Sequence, residues 1–530
     1  MTPTPWWKTA VAYQLYPRSF CDTTGDGVGD LEGIRLHLHH LSDLGVDAIW
    51  LSPFFTSPMA DYGYDVADYC DVDPLFGNLE TFDALLAEAH ELGLRVIIDW
   101  VPNHTSIEHP WFRASRSSRD DPRRDWYVWR DPAPDGGPPN NWIESLTFGP
   151  AWTLDETTGQ YYLHCFLSQQ PDLNWANPDV VDAMHDTLRF WLDRGVDGFR
   201  MDVVHLIGKD PALPDEPPEL AGLPHTILNN RPETHALLRD LRRLVDSYPG
   251  DRMAIGEVYL LDTALVAQHY GHGDELHLCF NFPPLYTPFE APAWRAQIEA
   301  TMGELDAIDA WPTWVLSNHD NPRHRSRYGG DEQVARAAAL LLLTLRGTPF
   351  LYAGEELGLE DAVVTEAQRH DPAGRDGCRA PIPWDASPCH GWAVPNVSAE
   401  PTDAATPGGS TSVAEPWLPW PPEAATRNPA VESSDDDSMM SLYRRLLRLR
   451  RAHLALSIGE FELVGSPDSV ISFRRGHDGD DVAVAINMSA APVAVDVVGE
   501  LLFSTVDRGI ENRFDGTLRA FEGIVVRADG

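Results

Sequence analysis

Basic side chains are scarce in this chain: of 530 residues, 40 are Lys or Arg against 81 Asp or Glu, a formal net charge of −41. Lysine is nearly absent, confined to Lys8 and Lys209. A body this negative repels phosphate backbones and anionic bilayers, which argues against nucleic acid or a membrane as partner and points to a neutral or cationic substrate. Cysteine is equally thin. Cys21, Cys70, Cys165, Cys279, Cys378 and Cys389 are scattered without C-x-x-C spacing, which argues against zinc or a redox pair. Cys378 and Cys389 are close enough in sequence to bridge, but free thiols in a reducing compartment are the plainer expectation. No run approaches the ~18 consecutive apolar residues of a membrane span. The opening MTPTPWWKTAVAYQLYPRSF lacks the basic stretch, apolar core and small-residue cleavage site of a secretory leader. The expectation is a cytoplasmic protein; nothing in the sequence speaks to its oligomeric state. What remains is ordinary globular composition, 43% hydrophobic and 23% charged.

One phrase recurs. LGVDAIWLSP (44–53), LGLRVIIDWV (92–101), RGVDGFRMDVV (194–204) and RGTPFLYAGEE (346–356) each set a glycine before an apolar, β-rich run. Glycine ends helices because it takes positive φ at low cost, so each phrase reads as helix end, short turn, buried strand. The segments before them, 31–44, 79–92, 179–194 and 331–346, are expected helices. VAYQLYP (11–17), MAIGEVY (253–259), LCFNF (278–282) and TWVLSN (313–318) continue the rhythm as strands, with helices at 232–248, 261–270, 294–308 and 438–453. Apolar strands alternating with helices pair in parallel with both faces covered. The predicted fold class is therefore α/β, a closed (β/α)8 TIM barrel. It spans 1–102 and 178–455. Residues 103–177, rich in Trp, Pro, Asn and Asp, form an inserted small domain after strand three. Residues 357–437, with PTDAATPGGSTS, form an irregular, partly flexible excursion after strand eight. Short alternating runs over 456–530 predict a C-terminal antiparallel β domain.

Barrel enzymes carry their chemistry at the C-terminal ends of strands. Those ends supply Asp99, Arg200, Asp202, Glu257, Asn318, His319 and Asp320, with Asp61, Tyr64 and His104 in the loops that follow. Acids dominate, and no Ser or Cys nucleophile set is present, which is a carbohydrate-type inventory. In GFRMD, alternation places Gly198, Arg200 and Asp202 on one face and Phe199 and Met201 on the other. A guanidinium beside Asp202 favours its ionised form, as a nucleophile requires, although a buried Arg–Asp bridge that merely closes the barrel is the bland alternative. Glu257 ends the neighbouring strand. A carboxyl beside another carboxylate in a half-buried site tends to keep its proton, as a general acid must. Adjacent strand ends, ~4.8 Å apart, can supply the ~5–5.5 Å separation of a retaining glycosidase.

DWVPNH (99–104), GFRMD (198–202), GEV (256–258) and SNHD (317–320) stand in the order and spacing of the α-amylase family of glycoside hydrolases, which the chain resembles over essentially its whole length. VDAIWLSP (46–53), QPDLNW (170–175) and GTPFLYAGEE (347–356) match further family blocks. The resemblance implies Asp202 as nucleophile, Glu257 as acid/base and Asp320 as a third carboxylate that holds sugar hydroxyls. It implies Asp61, Tyr64, His104, Phe166, Gln170, Arg200, His319 and, from GRDGCRAPIPWD (374–385), Arg379 as substrate-binding residues. Asp99 is expected to support the site's structure instead. QPDLNW and the loop SPMADYGYDVADY (57–69) look most like the α-glucosidase and oligo-1,6-glucosidase branch, which implies an exo-acting enzyme on short oligosaccharides. Within the family the alternatives are strict α-1,6 preference, a transglucosylase and a sugar isomerase. Val203 resembles the residue of α-1,6-cleaving members, and both linkages are expected to be cleaved. The RLDRD loop of isomaltulose-forming relatives is absent. A non-catalytic barrel is the rival from another class, and the presence of all three acids speaks against it.

No cofactor is expected for catalysis. DTTGDGVGD (22–30) resembles the start of a calcium loop, with Asp22, Thr24, Asp26, the Val28 carbonyl and Asp30 as ligands of a structural Ca²⁺ or Mg²⁺. It lacks a twelfth-position Glu, that place being Gly33, and a solvated acidic turn is the other reading. His37, His39 and His40 have no carboxylate or Cys set around them and are expected on the surface.

Overall fold

The computed structural model describes residues 4–224, 226–393, 415–509 and 513–528. All eight expected barrel strands form: β1 Ala12–Leu15, β2 Ala48–Leu51, β3 Arg95–Trp100, β4 Gly198–Met201, β5 Met253–Gly256, β6 Leu278–Cys279, β7 Thr313–Val315 and β8 Thr348–Tyr352. They pair in parallel in the spatial order 6-5-4-3-2-1-8-7. Alternate residues divide between two cores. Ala48, Trp50, Ile97, Met253 and Ile255 fill the barrel interior with Phe280 and Phe350. Ile49, Val96, Ile98, Phe199 and Met201 face the surrounding helices. The period of two in the sequence thus becomes an inside and an outside.

The barrel has one weak seam. Strand β6 is two residues long where five were expected, and among the described residues no backbone ladder joins it to β7. The Thr313 hydroxyl closes the gap instead, donating to the Cys279 carbonyl at 2.7 Å and accepting the Asn281 amide at 3.1 Å.

The helices match their expected positions, among them Leu79–Glu91, Pro178–Arg194, Glu332–Thr344 and Met439–Ala452. Pro178–Arg194 ends as its sequence implies, with Gly195 left-handed at φ 104°. The expected 31–44 helix is divided into Leu31–Leu36 and Leu38–Leu44. At the break His37 turns its ring back to the Gly33 carbonyl at 2.8 Å and packs 3.7 Å from the Trp384 ring. His40 also packs against Trp384, so of the three histidines expected on the surface only His39 is exposed.

Residues 103–177 hold the helix Pro110–Ser117 and a three-stranded antiparallel sheet of Trp129–Arg130, Gln160–Leu163 and Trp152–Asp155. Beyond the barrel a six-stranded antiparallel sheet runs from Glu460–Leu463 to Gly523–Ala528. In the excursion, PTDAATPGGSTS lies outside the described residues. Its described parts pack on the barrel: Trp392 accepts the Asp22 amide at 3.0 Å, and the Trp417 indole lies 5.4 Å from Tyr62. All six cysteines are free.

Candidate active site

The site grows from the end of β4. Asp99 on β3 and Arg200 on β4 are register partners, so a salt bridge between them follows from the ladder itself. Arg200 Nη1 reaches Asp99 at 2.7 Å and Asp202 at 2.6 Å, while Nη2 reaches Glu257 at 2.6 Å. One guanidinium therefore holds the two expected catalytic carboxylates from its two ends. Asp202 and Glu257 thus face each other closely enough for the charge of one to act on the other.

Their electrostatics depart from the sequence expectation. Arg200 does pull the Asp202 carboxyl down, but burial and the Glu257 charge outweigh it and raise Asp202 well above its ordinary value. The carboxylate of Glu257 thus works against the ionised Asp202 that the sequence reading expects. Asp99, beneath them, is pushed up to about 6 by burial against the opposing pull of Arg200. It also accepts from Trp50 Nε1 and the Tyr64 hydroxyl, each at 3.2 Å, as a supporting residue would.

Asp320 behaves oppositely. His319 at 3.2 Å, Arg375 at 2.9 Å and Arg379 at 3.1 Å hold its carboxyl below the usual carboxylate range despite burial. His319 is itself driven down to about 3 by burial and so is neutral, with its ring stacked on Tyr64 and 2.6 Å from that hydroxyl. Burial likewise lowers His104 to about 4. Its Nε2 lies 3.1 Å from Gln170 Nε2, and Gln170 donates to Asp61 at 3.1 Å.

These groups surround a cavity of about 440 Å³. Of the residues assigned from the sequence, Asp202, Glu257, Asp320, Asp61, Tyr64, His104, Phe166 and Gln170 form its wall. Arg200, His319 and Arg379 stand behind that wall. Arg379 is 1% exposed and bonds the His319 carbonyl at 2.7 Å. The arginine that faces the cavity is Arg375, which sequence reasoning passed over in the same block. It joins Asp61 at 2.7 Å to Asp320 at 2.9 Å, and the buried Asp371 fixes it through Nε at 3.0 Å and Nη2 at 2.7 Å. The signal was the pair Asp371 and Arg375, four residues apart in the excursion. The sequence reading also gave no role to the apolar outer wall of Leu146, Phe148, Leu206 and Tyr259.

In the 22–30 loop the carboxylates named as ion ligands each accept backbone amides. Asp22 accepts the amides of Thr24, Gly25 and Gly27 at 2.9, 2.7 and 2.8 Å. Asp26 accepts the Val28 amide at 2.9 Å, and Asp30 accepts those of Thr23 and Gly33 at 2.7 Å each, the last as a helix cap. The carboxylates expected on an ion are turned into the loop's own backbone. Among the described residues no group of three or more His, Cys, Asp or Glu side chains is set to hold a metal.

A family profile described as alpha amylase, catalytic domain, matches residues 14–459. The chain is 44% identical to a probable alpha-glucosidase of Rhizobium meliloti, over 91% of this chain and 89% of that protein. It is 37% identical to an oligo-1,6-glucosidase of Heyndrickxia coagulans, over 93% and 94% of the two. Among solved structures, an alpha-glucosyl transfer enzyme superposes with a TM-score of 0.88 at 40% identity, covering 99% of both chains. The trehalulose synthase MutB from Pseudomonas mesoacidophila MX-45 does so with 0.88 at 34%, again over 99% of each. With its acids on consecutive strand ends of the barrel and these likenesses running the length of it, the chain belongs to the α-amylase family of glycoside hydrolases and is an enzyme of the α-glucosidase kind.

Proposed function

We propose that the protein is an exo-acting, retaining α-glucosidase that removes terminal non-reducing glucose from short α-linked oligosaccharides of the maltose and isomaltose type. One observation carries the reading: Asp202 and Glu257 meet on the two ends of the Arg200 guanidinium at the wall of a cavity. In the first step the Asp202 oxygen attacks the anomeric carbon while Glu257 gives its proton to the departing glycosidic oxygen. In the second, Glu257 takes a proton from water, which attacks the glucosyl–Asp202 ester and frees glucose with its α configuration. The mechanism requires a proton on Glu257 at the start, within reach of the departing glycosidic oxygen. Asp320, held ionised by its two arginines, accepts hydrogen bonds from hydroxyls of the sugar. The exo assignment is supported by the Arg375 brace between Asp61 and Asp320, which stands where a chain continuing beyond the terminal glucose would have to pass.

Transfer is the second reading, favoured by the likeness to a glucosyl transfer enzyme. A sugar hydroxyl replaces water in the second step and the same residues serve. No metal takes part. The free cysteines fit a reducing compartment, and the reading places the enzyme in the cytoplasm, acting on sugars already taken up.

The test is a panel of maltose, isomaltose, sucrose, trehalose and starch, with product anomers followed by NMR. α-Glucose released first from the disaccharides, with little action on starch, is the expected result. β-Glucose first would overturn the retaining mechanism, and internal cleavage of starch would overturn the exo assignment. Trehalose formed from maltose would move the enzyme to the isomerases.

A further inference from the structure

The residue after Asp202 has a backbone that its side chain resists. Val203 is left-handed, at φ 34° and ψ 37°. Of the non-glycine residues with positive φ among the described residues it alone is β-branched, the residue type for which that region is a true outlier. The chain on either side is regular. The Asp202 amide donates to the Trp100 carbonyl at 2.9 Å and the Glu257 amide to the Met201 carbonyl at 2.8 Å, both continuing the parallel ladder. Three residues on, the Leu206 amide returns to the Val203 carbonyl at 2.9 Å and opens the single turn Val204–Leu206. One left-handed step therefore separates strand from helix, and the buried side chain is held there among Leu206, Leu213 and Leu228. Strain of this kind persists only where the surroundings over-determine it, and it concentrates at working sites.

That step takes the Val203 amide out of the ladder and aims it at the Glu257 carboxyl, donating to Oε2 at 3.0 Å. Arg200 Nη2 occupies the same oxygen at 2.6 Å. No N–H of a described residue donates to Oε1. An acidic hydrogen on Oε2 would face two N–H donors, whereas on Oε1 it faces no N–H.

We infer that the Val203 main chain is a positioning element for the acid/base: together with Arg200 it fills Oε2 and so places the transferable proton on Oε1. The inference rests on the reading of Glu257 as acid/base. In the glycosylation step the Oε1–H bond then breaks as its hydrogen passes to the glycosidic oxygen, which keeps the electron pair of the cleaved C1–O bond. An Asp202 oxygen forms the new bond to C1, and the amide of Val203 stabilises the carboxylate that Glu257 becomes.

The test replaces Val203 with 2-hydroxy-3-methylbutanoate, which turns the amide into an ester and removes only the N–H. Turnover is compared on maltose, whose leaving oxygen needs a proton, and on α-glucosyl fluoride with azide present, where neither departure nor rescue needs one. The expected result is a loss of about tenfold in kcat on maltose, with a small change in KM and fluoride turnover within about twofold. An equal loss on both substrates, or an unchanged kcat on maltose, would overturn the inference. Val203→Gly keeps both the turn and its N–H, so across aryl α-glucosides the dependence of kcat on leaving-group pKa should stay that of the wild type; a steepened dependence would assign the effect to the side chain and overturn the main-chain role. Glu257→Gln separates the two levels. It should abolish maltose turnover and spare fluoride, and if it lowers both alike, the acid/base reading itself fails.

Discussion

The two halves of the site are built from different material. Asp202 and Glu257 stand on the ends of β4 and β5, where ladder bonds continue up to the catalytic residues and one register-paired salt bridge sets the spacing. Arg375 comes from the excursion after β8, where no ladder guides the chain, and it is held by side-chain carboxylates, Asp371 behind it and Asp61 and Asp320 in front. The proposed bond-breaking groups stand where the backbone cannot drift, and the arginine proposed to limit what enters stands where insertions are tolerated. The chemistry of such a site is hard to alter by changing the excursion, while its preference is easy to alter that way.

Breaking the strand-borne half should have the largest effect. Asp202→Asn is expected to lower kcat by about 10⁴-fold or more, because the covalent step has no substitute; single-turnover kinetics on an aryl α-glucoside checks it, and substantial residual turnover would place the nucleophile elsewhere. The loop-borne half comes next. Arg375→Ala leaves Asp61 and Asp320 without their shared partner, worth roughly 3 kcal/mol or about a hundredfold in kcat/KM. The loss should be accompanied by relatively better action on longer chains, measured on a maltooligosaccharide series; an unchanged length preference would separate the brace from the exo character.

A smaller effect tests how the excursion is pinned. Glu355 and Glu356 follow β8, and Glu432 lies on the excursion's helix Pro429–Glu432; burial raises them to about 8, 7 and 8. Their partners are hydroxyls and amides, among them Tyr443 on Glu355 at 3.1 Å and Tyr13 on Glu356 at 2.9 Å. The folded protein binds these protons more tightly than the unfolded chain. Their contribution is therefore whole below about pH 4.5 and is lost as pH rises through the folded values near 7 to 8. Tm should fall across that window, and Glu432→Gln should flatten the fall. The smallest effect is expected at the 22–30 loop. Chelation with EDTA should leave Tm within about 1 °C, whereas an ion at a hundredfold its Kd would be worth about 2.7 kcal/mol.

What the sequence disclosed divides along the same line. Strand ends were readable because alternation places Arg200 and Asp202 on one face without any knowledge of the rest of the fold. Helix ends were readable through glycines such as Gly195. The Arg200 effect on Asp202 was read with the right sign and the wrong outcome, since burial and a second carboxylate are properties of the assembled site. Arg375 was missed because its meaning depends on Asp61, more than three hundred positions away. The 22–30 loop shows the converse: alternate acids suggest an ion, yet the same spacing lets each carboxylate collect the amides of a tight turn. The shortness of β6 was hard to read locally, because LCFNF is apolar but for Asn281, and it is the Thr313 hydroxyl across the seam that shows where the ladder stops.

On the proposed exo reading, the Arg375 brace would also govern the order in which products depart. A chamber closed behind its innermost sugar would have a single doorway, so the severed partner would step out before the monosaccharide could follow. Free glucose then vies with incoming substrate for the vacated enzyme, and its build-up should slow the reaction competitively.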